Sequence, residues 1–342
     1  MEYYAGIDVS LEQSCVCVVD GSGKIVREGK VASEREALIG YFGSLDVVLS
    51  RIGLEAGPLS QWLYAAMKEA GLAVELLETR HVRDAFSAMP VKSDRNDARG
   101  IAQLMRLGWF RPVHCKSLAA QELRAVLTAR KLVQSKLRDV ENSLRGILRG
   151  FGLKVGKTTA RSFAGRIREL VAGQPNLEVI AQALLAVHAV LVREFNGFER
   201  RVRLLARTHN QARLLMTTPA VGPIVALTYA GAIDNPARFN SSKQTGAHFG
   251  LTPKKYQSGQ TDYTGRISKI GDASVREALY QAAHVMLTKP VKGCTALKSW
   301  AMRIARRAGM RKAKVALARK LAVIMHRMLA DASEFNAAAA AA

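Results

Sequence analysis

Between Leu123 and Phe151 the apolar residues Val126, Val133, Leu137, Val140, Leu144 and Ile147 recur mostly at helical spacing, interrupted mainly by Arg130. A stripe of that length predicts one long helix with a coiled-coil seam. Gly150, Gly152 and Gly156 end it, and Gly173-Gln174-Pro175 ends a shorter helical piece. A second long stretch runs through Leu177, Ile180, Leu184, Leu191, Phe195, Phe198, Val202 and Leu205. Two such helices pair with each other or with partner chains, and they separate an N-terminal part from a C-terminal one. The 342 residues allow two or three domains, each able to bury a core.

Charge divides the chain in the same way. Residues 1–117 hold 14 basic and 15 acidic side chains, and the remainder holds 37 basic and 13 acidic, a net of +24. Between Glu277 and Asp331 there is no carboxylate, against twelve lysines and arginines set among helix formers. That is a folded basic face whose self-repulsion favours phosphate binding, so a polyanion is the first partner to expect. The start MEYYAGIDVS lacks a leader pattern, and no uncharged apolar run comes near the roughly 18 residues that span a bilayer, so no membrane partner is expected. Cys15, Cys17, Cys115 and Cys294 form no CxxC pair, which fits a reduced, cytoplasmic protein, nucleoid-associated when acting.

In the N-terminal part, YYAGIDV, SCVCVVD and KIVREGKV read as a meander of strands. A helix over Ser33–Phe42, the strand VVLSRIGLEAG, a helix over Ser60–Glu69 and a strand near AVELLET follow. This order predicts an α/β domain with a mixed sheet. Pro90 breaks the chain, and Ser93 is placed to cap an amphipathic helix beginning SDRNDARG. Cys15 and Cys17 read as buried small hydrophobes, and Trp109 and Phe110 as core aromatics.

Asp8 and Glu55 each end an apolar strand, at the rim where open α/β sheets place their sites. Asp94 and Asp97, three apart, share one face of a first helical turn. Singly, each has a plainer reading as a turn residue, a surface acid or a dipole-stabilising acid. Together, four hard oxygen donors with no His or Cys cluster point to Mg²⁺ or Mn²⁺, and to the ions that activate phosphodiester chemistry.

GIDVS, GLEAGP and KSDRNDARG together resemble the RuvC-like DEDD transposases of bacterial insertion sequences, the family numbered one hundred and ten. GLTPKKYQSGQTDYTGRISKIGD resembles the same family's C-terminal transposase domain. The resemblance implies a fold of α/β plus all-α type. A ribonuclease H-like (RuvC-like) mixed-sheet domain would span 1–117, a long helical coiled-coil linker 118–215 and a basic helical C-terminal transposase domain 216–332. A low-complexity tail over 333–342 is set apart as frayed or not native. Family members are recombinases programmed by a structured noncoding bridge RNA whose loops pair with donor and target DNA. By motif, Asp8, Glu55, Asp94 and Asp97 become metal ligands and Ser258 the nucleophile. A site composed from two protomers is a further implication.

Residue chemistry agrees with that assignment. Ser258 is followed by Gly259, which permits close backbone approach to a phosphate, and is flanked by Lys254, Lys255, Arg266 and Lys269. A serine hydroxyl needs deprotonation or metal assistance to attack, and no histidine lies in the motif. Otherwise a Ser-Gly pair in a polar stretch is a turn. Further nucleic-acid contacts are expected from Lys92 and Arg95 beside the acids, Gly222 in a helix-hairpin-helix-like turn, Arg276, Arg311 and Lys312. The expected activity is RNA-guided DNA recombination by a dimer that assembles into a tetramer. The competing readings are a junction-resolving endonuclease using metal-activated water and a noncatalytic nucleic-acid scaffold.

Overall fold

The structure, a computed structural model, describes residues 2–87 and 91–338, so Pro90 and the last four alanines lie outside the described residues. The chain divides into two compact units, Met1–Lys116 and Ser117–Ala342. In the first unit the elements run β1 (Tyr3–Asp8), β2 (Gln13–Asp20), β3 (Ile25–Ala32), α1 (Arg35–Gly43), β4 (Leu49–Glu55), α2 (Ser60–Glu69), β5 (Val74–Leu77), α3 (Thr79–Phe86) and α4 (Asp94–Leu107). The sheet order is β3-β2-β1-β4-β5, with β2 antiparallel to β1 and β3, and β1, β4 and β5 parallel. This is the mixed ribonuclease H-like sheet that the motifs lead one to expect.

Strand alternation sorts the core into two layers. Ala5, Ile7, Val16, Val18, Ile52 and Leu54 pack with Leu38, Phe42, Leu63 and Met67 of α1 and α2. Tyr4, Cys15, Cys17 and Val19 pack on the opposite face with Ala98, Ile101, Ala102 and Met105 of α4. Both cysteines are buried and free, as their small apolar character leads one to expect. Trp109 is not a core aromatic: it is 60% exposed, edge-on to His81 at 5.1 Å between ring centroids, because it follows the left-handed Gly108 that ends α4.

One ion cluster ties α4 to the sheet from outside. Glu28 of β3 accepts from the guanidinium groups of Arg95 and Arg99, and the Arg99 hydrogen bonds hold its carboxyl down to about 2. Its stabilisation is present in full above the ordinary value of 4.5 and is lost as pH falls toward 2. Both arginines are more than a third exposed, so the pairing is worth about 1 kcal/mol after solvent screening. Glu28→Gln is therefore expected to lower the thermal midpoint at pH 7 by a few degrees and to leave it unchanged near pH 2.

The second unit begins with α5 (Leu118–Gly150), capped by the Ser117 hydroxyl, followed by α6 (Phe163–Val171) and α7 (Pro175–Thr208). Leu144 and Leu148 of α5 pack with Leu177, Ala181 and Leu185 of α7, and Leu123 packs with Val202 and Ala206, so the two long helices run antiparallel. Arg130–Glu199 and Glu141–His188 join them along the length. By length and composition α7 is apolar enough to cross a membrane once charged residues are admitted to the span. Its uncharged run, Val179–Val192, is bounded by Glu178 and Arg193 and falls short of the roughly 18 residues expected of a span. One face of α7 is buried in the unit through Leu177, Ala181, Leu185 and His188.

The remaining elements are α8 (Asn210–Leu215), α9 (Pro223–Ile233), α10 (Gln244–His248), β6 (Pro253–Ser258), β7 (Thr261–Ile267), α11 (Ala273–Thr288), α12 (Thr295–Ala308) and α13 (Met310–Ala330). Helices α8, α9, α11, α12 and α13 enclose one core with the N-terminal end of α5 and the C-terminal end of α7. Its largest buried side chain, Tyr229, donates its hydroxyl to the Ala322 carbonyl at 2.5 Å. The compact, basic, helical reading of this region holds, with a two-stranded ribbon added that helical spacing does not reveal.

Candidate active site: four acids at a sheet edge and a serine on a ribbon

In the first unit, β1 and β4 are parallel neighbours with Ile7 opposite Leu54, so the next residues, Asp8 and Glu55, stand side by side at one edge of the sheet. Alternation puts Tyr4, Gly6 and Asp8 on the face covered by α4, and Arg51, Gly53 and Glu55 on the same face. Gly6 and Gly53 are themselves paired in the register. A Cβ on Gly6 would lie 2.2 Å from the Ala98 carbonyl oxygen, and one on Gly53 would lie 2.8 Å from Ile101 Cγ2. The helix thus rests directly on strand backbone, and its first turn, with Asp94 and Asp97, comes beside the strand ends. Ser93 caps that turn, its Oγ accepting from the Asn96 amide at 3.3 Å.

The carboxylates act on one another electrostatically. Burial, then Asp97, Asp94 and Glu55, push the Asp8 carboxyl up to about 6 from 3.8, against the opposing pull of Lys92. Glu55 is raised by burial and then by Asp97, opposed first by hydrogen bonding from Thr79 and then by Lys92. A cavity of about 340 Å³ opens beside Asp8 and Glu55, walled by Val9–Leu11 and Ala56–Leu59. Oxygen-only donors that repel one another suit a hard divalent cation. The acids share an edge rather than a point: among the described residues no three His, Cys, Asp or Glu side chains are drawn together closely enough to hold an ion.

The second unit holds Ser258 at the last position of β6, opposite Thr261, with Gly259-Gln260 forming the two-residue loop. Gly259 takes φ +55°, the left-handed value that the first loop position of a type II′ hairpin requires. Every residue of both strands except Ile267 is exposed, so the hydroxyl is accessible. Lys254, Lys255, Arg266 and Lys269 are exposed along the ribbon toward its base, with Lys255 paired to Asp262 at 3.2 Å.

The other expected nucleic-acid contacts fall into three groups. Arg311 and Lys312 are exposed in the first turn of α13, where the helix dipole disfavours cations and an anion would relieve them. Lys92 is exposed beside the acids, Arg95 is engaged by Glu28, and Gly222 caps α9 ahead of Pro223. Arg276 takes a structural part: its Nη1 donates to the carbonyls of Phe249, Ile270 and Gly271 at 3.2, 3.2 and 2.9 Å. Through Nη1 it clamps the base of the ribbon to α11, and these bonds do not use Nε or Nη2. The spacing of an amphipathic helix gives no sign of this.

Comparison with known proteins agrees in order and extent. A family model named DEDD_Tnp_IS110, described as Transposase, matches residues 5–152, and one described as Transposase IS116/IS110/IS902 family matches residues 212–298. The chain is 28% identical to the transposase for insertion sequence element IS1111A of Coxiella burnetii, over 95% of this chain and 88% of the relative. It is 23% identical to the transposase for insertion sequence element IS1328 of Yersinia enterocolitica, over 80% and 81%. Among solved structures, Thermus thermophilus RuvC in complex with a Holliday junction substrate aligns at 15% identity and a TM-score of 0.26, over 33% of this chain and all of that one. Motifs, sheet order and both family models lead to one statement: the chain belongs to the IS110 family of insertion-sequence transposases.

Proposed function

We propose that this transposase is an RNA-guided DNA recombinase in which Ser258 attacks a phosphodiester and the four acids hold the divalent ions that assist it. The observation that supports this reading is the placement of Asp8 and Glu55 side by side at one sheet edge, with Asp94 and Asp97 in the first turn of the helix that covers that face. Mg²⁺, when bound, supplies Lewis-acid polarisation of the scissile phosphate. Ser258 Oγ forms the new bond to phosphorus as the bond from phosphorus to a deoxyribose oxygen breaks. The serine proton passes to solvent and the leaving oxygen takes one up. The phosphoserine ester conserves the bond, so a second strand's hydroxyl can reverse the step without ATP.

Guide RNA and DNA fall to the basic second unit, whose carboxylate-free stretch 278–330 suits backbone contacts while base pairing reads sequence. Self-association, as a dimer and then a tetramer, is supported by the exposed apolar residues Leu132, Val179, Val187, Val190 and Leu204 on the paired long helices.

Two measurements test the reading. Ser258→Ala is expected to bind DNA as the parent does and to lose strand cleavage by a factor on the order of 10³ or more. Retained cleavage would assign attack to water, as in a junction-resolving nuclease. Protein purified from a host carrying its element is expected to retain one discrete structured RNA through a high-salt wash, and heterogeneous RNA would contradict guidance.

A further inference from the structure

The ribbon has two chemically different faces. Gln257 and Asp262 are opposite one another on one of them, and Lys255 pairs with Asp262 there at 3.2 Å, leaving that face largely self-satisfied. On the other, Tyr256 is opposite Tyr263 and Ser258 opposite Thr261. The tyrosine rings stack at 5.3 Å between centroids and 26° between planes, yet they are 52% and 58% exposed, with no core beneath them. Strand geometry puts Tyr256 about 7 Å from Ser258 along this face, the reach of one extended nucleotide.

The base of the ribbon is closely packed. Gly250 and Gly271 take φ +66° and +85° at backbone crossings where any Cβ would clash, and Arg276 clamps the same turn. A stacked, solvent-facing pair of rings beside an accessible hydroxyl, on a ribbon that carries Lys254 and Arg266, has the makings of a stacking surface for a nucleic acid strand.

We infer that the Tyr256–Tyr263 pair is a base-stacking platform that holds an unpaired DNA nucleotide next to the phosphate presented to Ser258. The inference rests on the proposed role of Ser258. The pair fixes the register of the strand by extending its own stack with a base, and because every base has a π face the contact is indifferent to sequence. A purely structural part in pairing the two strands is the alternative, and a β-branched pair would fill that part equally well.

The test uses the full-length chain carrying Ser258→Ala, with single-stranded DNA of twenty nucleotides containing 2-aminopurine as the probe. Stacking is expected to quench the fluorophore on binding. Tyr256→Val with Tyr263→Val is expected to remove the quench and weaken binding roughly ten- to hundredfold, while Tyr256→Trp retains both. All variants are expected to melt with the parent, since neither tyrosine belongs to the core of the unit. The Val pair quenching like the parent would overturn the platform. So would a stronger, equally tyrosine-dependent quench with RNA of the same length. The readout involves no cleavage, so a Ser258→Ala protein that still cuts DNA would reject the nucleophile while leaving the quench in place.

Discussion

Gly6→Ala is expected to reduce strand cleavage by at least a hundredfold and to cost about 1–3 kcal/mol of stability, although Gly6 touches no substrate. The added methyl would lie 2.2 Å from the Ala98 carbonyl oxygen, 2.4 Å from the Ala102 nitrogen and 2.9 Å from the Ile101 carbonyl carbon. All three are backbone atoms, so no rotamer change relieves the clash and α4 must lift from the sheet. Asp97 immediately precedes Ala98, so the lift carries the acids away from Asp8 and Glu55. Displacement by about 1 Å at a catalytic group is enough for a loss of that size. Gly53→Ala provides the control, because its methyl would meet the side chains of Ile101 and Met105, and methionine adapts readily. Thermal melting and single-turnover cleavage of the two variants should rank Gly6→Ala as the more severe in both, and the reverse order would contradict this account of how the site is positioned.

Asp8→Asn is expected to stabilise the chain at neutral pH while abolishing cleavage. The folded chain holds the Asp8 proton more tightly than the unfolded chain does, since the carboxyl titrates near 6 rather than 3.8. Its favourable contribution is therefore complete below 3.8 and is lost as pH rises through about 6. At pH 7.5 the ionised, half-buried group costs about 1–2 kcal/mol after allowance for solvent screening. Asparagine removes that cost, so the melting temperature should rise by several degrees at pH 7.5 and be unchanged near pH 3.5. Cleavage should fall by a factor on the order of 10³ with the loss of an oxygen proposed to hold the metal. Lower stability at pH 7.5 would show Asp8 to be a structural acid instead.

Legibility in the sequence followed the range of the forces involved. Period-two apolar runs ending in Asp8 and Glu55 revealed both strands and the acid edge, because strand alternation is a local property. Ser93 was readable as a cap for the same reason. The packing that brings α4 over that edge was not, since Gly6 and Gly53 announce themselves only when a helix backbone is laid across them. The carbonyl partners of Arg276 Nη1 come from a turn whose path depends on Gly250 and Gly271, which helical spacing does not reveal. The ribbon was missed although its signal was present: KKYQSGQTDYT alternates aromatic and β-branched residues around a glycine loop. Reading the segment for Ser258, its glycine and the flanking cations left out the strand pairing, and with it the face that Ser258 shares with the two tyrosines.

The central claim is that Ser258 carries the DNA strand covalently. The direct measurement is to quench a cleavage reaction in denaturant, digest the protein and identify DNA-linked peptides by mass spectrometry. The account predicts a nucleotide adduct on the peptide containing Gln257-Ser258-Gly259, dependent on divalent cation and absent from Asp8→Asn and Ser258→Ala. Strand cleavage with no adduct, or an adduct on another residue, would contradict it.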